Sequence, residues 1–364
     1  MRAAIICLGV GRARRGYETF SRELFEHLRG RIDVHLLKGA GAPGPDEHVI
    51  PGMSRDSLLL RPLPQAARYA AEMRSSAPFL ARHLVSHRYD IVHFSEHPLG
   101  IALRPLRRYW RHCPRLIFSN GGPVWARYYK DYVDHIHHIN GASLADEGLN
   151  DGFPRQRMTL IPYGIDPAAF ARRPTDLRRR YGIPREAFVV LSVGAINGSH
   201  KRMDHLVREM AGCADRDLYV LIAGAREAET PRIERLGRTL LGDRVRFLSL
   251  PHDQIRHAYW ASDLFALCSL QEGLGMVLLE AMAAGVPVIA HDAPTQRWTL
   301  DAAASLIDMA APGRLAREVM RLRGDAARRQ RLIAAGADRV GREYAWDRLV
   351  PQYLAMYDAV GRAV

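Results

Sequence analysis

The chain reads as two doubly wound α/β domains in series, and three observations lead there. Its 364 residues are enough for two cores of ordinary size. Short apolar runs alternate with helical patterns, which implies right-handed βαβ units and parallel sheets. The alternation also stops and restarts. Ile161-Pro-Tyr-Gly-Ile-Asp-Pro167 and the stretch on to Arg185 are punctuated by proline and arginine, and a second series opens at Phe188.

In the first half, residues 3–8 form an apolar strand, followed by a polar turn over 9–16 and a helix over 17–28. The apolar start runs into Gly11-Arg-Ala-Arg-Arg15 with no small-residue cleavage site, so it reads as a first buried strand and not a signal peptide. A strand at 34–37 precedes a Pro/Gly-rich loop over 39–64 and a helix over 65–87. Strands at 90–94, 116–119 and 135–139 complete the series. In the second half, residues 188–193 are a continuous apolar strand, followed by a polar loop and a helix at 203–210. Strands follow at 218–223, 245–248, 264–268 and 286–289, and residues 344–357 read as a last helix. The expected division is 1–165, 166–343 and a terminal helix within 344–364. Ligands are expected in a cleft at the carboxyl ends of the strands.

Composition narrows the class. Hydrophobic content of 48% and charged content of 25% are those of a globular protein in water. No apolar run approaches the ~20 residues needed to span a bilayer. Cys7, Cys113, Cys213 and Cys268 lack C-x-x-C spacing and read as reduced, buried thiols of a cytoplasmic protein. The net charge is +13, yet only Lys38, Lys130 and Lys201 are lysines. Between Pro98 and Gly122 there is no acid, while Arg104, Arg107, Arg108, Arg111 and Arg115 interleave with Leu103, Leu106, Tyr109 and Trp110. That pattern fits a peripheral contact with the anionic inner face of the cell membrane, and equally a solvated helix face. No recognition motif for nucleic acid accompanies the charge.

Glu272-Gly-Leu-Gly-Met-Val-Leu-Leu-Glu280 carries the most chemistry. A glycine turn leads into a helical run that stops at Gly285-Val-Pro287 and returns as an apolar strand. The start of that helix, at Gly275, Met276 and Val277, offers unpaired amides to a phosphate or sugar oxygen. Glu280 sits about one turn inside, among Leu278, Leu279, Ala281 and Met282, where a solvated acid would be out of place. The segment resembles the E-x7-E signature of retaining glycosyltransferases of the GT-B fold, in the large family four that uses nucleotide sugars. The resemblance implies two Rossmann-like domains facing across a cleft, with the C-terminal helix crossing back to the first. It also implies that Glu272 contacts the donor sugar and Glu280 the donor ribose.

Other positions follow from that resemblance. Val193-Gly-Ala-Ile-Asn-Gly-Ser-His-Lys-Arg202 resembles the family's diphosphate-gripping loop, with Lys201 on the Lys position and Ala195 where the family has Arg. Arg202 is expected to replace that lost bidentate clamp. The loop from Gly9 to Glu18 resembles the glycine-rich loop facing the diphosphate, its paired glycine reduced to Arg15-Gly16. Asn120 stands where many relatives place a His, and its amide with Gly121 and Gly122 is expected to hold a sugar. Glu96 and His97 are the nearest ionisable groups and read as positioning residues. Neither His135 and His137 nor Asp215 and Asp217 have the partners a metal site needs, and G-x-G-x-x-G fails at Arg14. The expectation is a metal-independent transferase without cofactor, moving a sugar from a UDP- or GDP-sugar to a hydroxyl of a glycan, a lipid-linked or a small-molecule acceptor. A nucleotide-sugar epimerase or hydrolase on the same fold, or a non-catalytic nucleotide-sugar-binding module, are the alternatives.

Overall fold

The structure is a computed structural model that describes residues 1–12, 16–105, 112–122 and 124–362, the side chains at 65 and 252 excepted. The chain divides into two compact units, Met1–Gly164 with Trp346–Val364, and Ile165–Ala345.

The first unit is built on a seven-stranded parallel sheet. Its strands are β1 (Arg2–Cys7), β2 (Asp33–Lys38), β3 (Glu47–Val49), β4 (Ile91–Phe94), β5 (Arg115–Asn120), β6 (His135–His138) and β7 (Met158–Leu160), in the order β3-β2-β1-β4-β5-β6-β7. β1 is central, with Ala3 opposite Val34 on one side and Ile91 on the other. A strand covered on both faces must be apolar throughout, which is why Ala3 to Cys7 are all buried. The helix Gly16–Leu28 buries Phe20, Leu24, Phe25 and Leu28 on one stripe. The helix Gln65–His87 stops where Arg88 turns left-handed, at φ +49°. The last helix, Trp346–Arg362, belongs to this unit and packs on Gly16–Leu28 and on β4. Its Tyr357 hydroxyl meets His93 Nδ1 at 2.8 Å, and the Trp346 ring lies 2.4 Å from where a Cβ on Gly164 would stand. Any side chain at 164 would therefore push that helix away.

The second unit carries β8 (Phe188–Val193), β9 (Leu218–Ala223), β10 (Val245–Leu248), β11 (Leu264–Leu267), β12 (Val288–His291) and β13 (Ala304–Ile307). They form one parallel sheet ordered β10-β9-β8-β11-β12-β13. The helix Met203–Ala211 buries Met203, Leu206, Val207 and Met210, the i, i+3, i+4, i+7 stripe of a one-sided helix. The helix Met276–Ala283 is apolar nearly all round and buries Leu278, Leu279, Ala281 and Met282.

Three strands escaped the sequence reading: β3, β7 and β13. Two are three residues long, all three are partly exposed along their length, and they flank their sheets, so none has a continuous apolar run. Arg115 opens β5 and so is a strand residue, not part of a basic helix face; Arg104 faces Asp131 at 3.9 Å. Leu106, Arg107, Arg108, Tyr109, Trp110 and Arg111 lie outside the described residues. Cys7, Cys213 and Cys268 are buried, but Cys113 is exposed, contrary to the expectation that all are buried. Among the described residues no helix is long and apolar enough to cross a membrane.

Candidate active site

After β8 the chain turns at Gly194, whose φ of +152° suits only glycine, and the Lys201 stem lies 3.3 Å from where its Cβ would be. Asn197 shapes the loop that follows. Its Oδ1 accepts the amides of His200 (3.1 Å) and Lys201 (2.7 Å), and its Nδ2 donates to Glu227 at 2.9 Å. The Lys201 ammonium is thereby delivered to Glu272, 2.5 Å from Oε1, with the two side chains only 15% and 9% exposed. A pair so little hydrated is costly to bury. An ammonium has three donors, so one acceptor oxygen does not exhaust it.

Glu272 leads into the turn at Gly275 (φ +79°), where a Cβ would sit 2.6 Å from Leu278 Cδ1. The helix Met276–Ala283 starts there with no capping side chain, which leaves its first amides and the positive end of its dipole to a ligand. Glu280 is half-buried, its carboxyl among apolar neighbours. Burial lifts that carboxyl to about 7, against the pull of the Tyr259 hydroxyl, which donates to Oε2 at 2.7 Å. The same hydroxyl lies 3.3 Å from the Val277 carbonyl, so Tyr259 ties the acid to the first turn of its helix.

Arg202 has a different task from the expected clamp. It caps the helix Met203–Ala211 in a left-handed conformation, at φ +50°. Its Nη1 donates to the carbonyls of Met309 (2.9 Å) and Cys268 (3.4 Å). The guanidinium thus joins the end of β11 to the segment after β13. In this arrangement Nη1 of Arg202 is engaged with backbone carbonyls.

In the first unit, Asn120 ends β5 fully buried. Its Nδ2 donates to the Val124 carbonyl (2.9 Å) and the Tyr129 hydroxyl (3.4 Å), and its Oδ1 accepts the Val124 amide at 3.2 Å. The amide expected to hold a sugar is therefore engaged in closing its own loop. Glu96, at the end of β4, accepts the Leu8 amide at 3.1 Å. Burial lifts it to about 7; the Leu8 amide and Arg55 pull it down, and Glu18 and Glu72 push it up. His97 heads the helix His97–Leu103, and burial holds it below the usual histidine range. Gly16 opens the helix Gly16–Leu28, and a Cβ there would meet open space, so nothing in the described fold demands a glycine.

Tyr259 and Asn197 were not singled out from sequence. An Asn four residues before a lone Lys is a weak cue for the loop, and nothing local links Tyr259 to Glu280. Among the described residues no group of three or more His, Cys, Asp or Glu is placed to hold a metal ion. Asp215 accepts the Asp217 amide at 2.9 Å in a turn, and His137 is spent on Ser119 and the Ile161 carbonyl, each at 2.6 Å.

Two doubly wound parallel sheets, with an acid pair bracketing a helix start in the second, define the GT-B class of glycosyltransferases. Comparison sharpens the class to a family. Residues 14–169 match the model for Glycosyltransferase Family 4, and residues 174–339 match that for Glycosyl transferases group 1. The chain belongs to this family of glycosyltransferases. A D-inositol 3-phosphate glycosyltransferase of Salinispora tropica is 34% identical over 55% of this chain and 46% of its own. A 2-deoxystreptamine glucosyltransferase of Streptomyces kanamyceticus is 28% identical over 57% of this chain and 56% of its own. The chain thus spans about half the length of the curated relatives it matches. The HepE protein of Anabaena, solved with UDP and glucose, superposes with a TM-score of 0.79 at 17% identity, covering 99% of this chain and all of that one.

Proposed function

We propose that this protein is a retaining, metal-independent glycosyltransferase that moves a sugar from a nucleoside diphosphate sugar to a hydroxyl acceptor. The observation that carries the reading is the Lys201–Glu272 ion pair beside an uncapped helix start that also bears Glu280. In this reading Glu280 accepts the two ribose hydroxyls, Glu272 holds hydroxyls of the transferred sugar, and Lys201 with the Met276 and Val277 amides holds the diphosphate. As the anomeric C–O bond breaks, negative charge gathers on the leaving diphosphate. Lys201 and the helix end meet that charge more strongly in the transition state than in the ground state. Glu96 serves as a positioning acid. The solved HepE complex, with UDP and glucose as its named ligands, supports UDP as the first donor nucleotide to try.

The test begins with thermal shift across UDP-, GDP- and ADP-sugars, since a ligand of the native state raises the melting temperature with its affinity. Turnover that needs an acceptor, survives chelator and preserves the donor's anomeric configuration by NMR is the expected result. Turnover without acceptor would make the protein a hydrolase or epimerase, and binding without turnover a non-catalytic module. Restoration of chelated enzyme by magnesium or manganese would overturn the metal-free reading. A cytoplasmic enzyme touching the membrane through its 104–115 segment should sediment with anionic but not neutral liposomes, and sedimentation with neither would remove that partner.

A further inference from the structure

Where β1 and β4 end, three carboxylates of the first unit gather, and they are not equally provided for. Glu72, fully buried, is ion-paired to both Arg12 and Arg55. Glu96, 4% exposed, has the Leu8 amide on Oε2 and a longer contact with Arg55, 3.5 Å from Oε1. Glu18, 7% exposed, lies against Gly9, its Oε1 2.2 Å from where a Cβ would be, and its Oε2 has no hydrogen-bond partner among the described residues. Both Glu18 and Glu96 therefore bear on the Leu8–Gly9 corner. Among the described residues the group holds three acids and two guanidiniums: Arg12 is paired to Glu72, Arg55 is shared between Glu72 and Glu96, and neither is paired to Glu18. Arg14 and Arg15 lie outside the described residues.

A buried carboxylate oxygen with no donor is an exception that folded proteins rarely tolerate without purpose. The first turn of the helix Gly16–Leu28 offers Glu18 a favourable dipole, yet a dipole supplies no donor to Oε2. A phosphate would bring more negative charge to a corner where Glu96 is already pushed up by burial, with Glu18 and Glu72 adding to it. A protonated amine would bring Glu18 Oε2 the donor it lacks and would set a positive charge beside Glu96, through short charge-assisted bonds.

We infer that Glu18 and Glu96 receive a protonated amine of the acceptor, which makes that acceptor an amine-bearing hydroxyl compound and not a phosphorylated one. The inference rests on the transferase reading above and names the acceptor class for it. Three hydroxylated rings of similar size separate the possibilities: 2-deoxystreptamine, myo-inositol and inositol 3-phosphate.

Each is titrated calorimetrically into the full chain, with and without UDP. The expected order is the diamine tightest, by at least tenfold, and the phosphate weakest. Glu18→Gln and Glu96→Gln should each cut the amine affinity at least tenfold while changing that of myo-inositol far less. Glu18→Asp keeps the charge and serves if the glutamine variant fails to fold. Tightest binding of the phosphate, no binding of the amine, or an amine preference that survives both substitutions overturns the inference. Donor titration on the same preparation separates the two readings. Donor binding without amine binding defeats the inference alone, and amine binding without any donor binding defeats the transferase reading instead.

Discussion

The acids of the two units differ in how the fold has provided for them. In the second unit each is met by a residue brought from elsewhere in the chain: Lys201 reaches Glu272 and Tyr259 reaches Glu280. In the first unit Glu96 shares Arg55 with Glu72, and Glu18 Oε2 has no hydrogen-bond partner among the described residues. A site whose polar groups are fixed during folding spends little reorganisation when charge moves in it, as suits a leaving group common to many donors. A site that leaves an acid unsatisfied defers that interaction to a ligand, as suits the part of a reaction that varies. On the proposed reading, complete pairing goes with the donor side and incomplete pairing with the acceptor side.

The largest effect should come from the second unit. Lys201→Ala is expected to lower kcat on the order of 10²–10³-fold, the usual result of removing one preorganised charge stabiliser, a larger loss than the stability it costs by leaving Glu272 unpaired. A kcat within a few-fold of the parent would mean that the pairing with Glu272 is structural. Next, Glu280→Ala should weaken donor binding by about 1–3 kcal/mol, roughly 5–150-fold in Kd, because an acceptor for two hydroxyls is lost. Unchanged affinity by calorimetry would take Glu280 out of the site.

The same acid gives a pH signature. Glu280 is held at about 7, above its ordinary 4.5, so it carries a proton at pH 6 that it must release to accept the ribose. Donor affinity should rise with pH through 7, with a buffer-dependent heat of proton release at pH 6 that Glu280→Gln removes. For the empty protein the sign reverses. The folded state holds the protons of Glu280 and Glu96 more tightly than the unfolded chain, so their contribution to stability is complete below 4.5 and is lost as pH rises through 7. A donor-binding profile flat from pH 6 to 8 would show that Glu280 does not titrate there. The smallest functional effect should be that of Arg202→Ala, which costs about 1.5–3 kcal/mol of stability through its two carbonyl bonds yet leaves donor affinity nearly unchanged. A large loss of donor affinity with intact stability would restore Arg202 to the diphosphate.

Much of the fold was legible because central parallel strands are buried on both faces and advertise themselves as apolar runs: the span 188–193 was read from sequence as it stands in the structure. β3, β7 and β13 were not, because a flanking strand of three or four residues, partly solvated, carries no such run. In the site, spacing revealed Glu272 and Glu280, since both belong to one local turn and helix. It could not reveal what Arg202 does, because its partners Cys268 and Met309 lie 66 and 107 positions away. Nor could it separate Asn120 as a loop-closing amide from a ligand-holding one, as both uses need the same residue at a strand end. Glu18 went unnoticed because an acid in a first helical turn is ordinary; only the unpartnered Oε2 distinguishes it.

The order of the chain gives the helix Trp346–Arg362 a consequence for biosynthesis. The first unit needs that helix for its core: Tyr353, Met356 and Tyr357 are buried in it, and Trp346 lies over Gly164. On the ribosome those residues emerge only after all of Ile165–Ala345 has been made. At about 5–20 residues per second that is a wait of roughly ten seconds or more. During that interval His93 and the Trp346-facing side of Phe20 have no covering helix, and the second unit has every residue it contains once Ala345 is made, before that helix follows. The half of the protein translated first is therefore the half that finishes folding last.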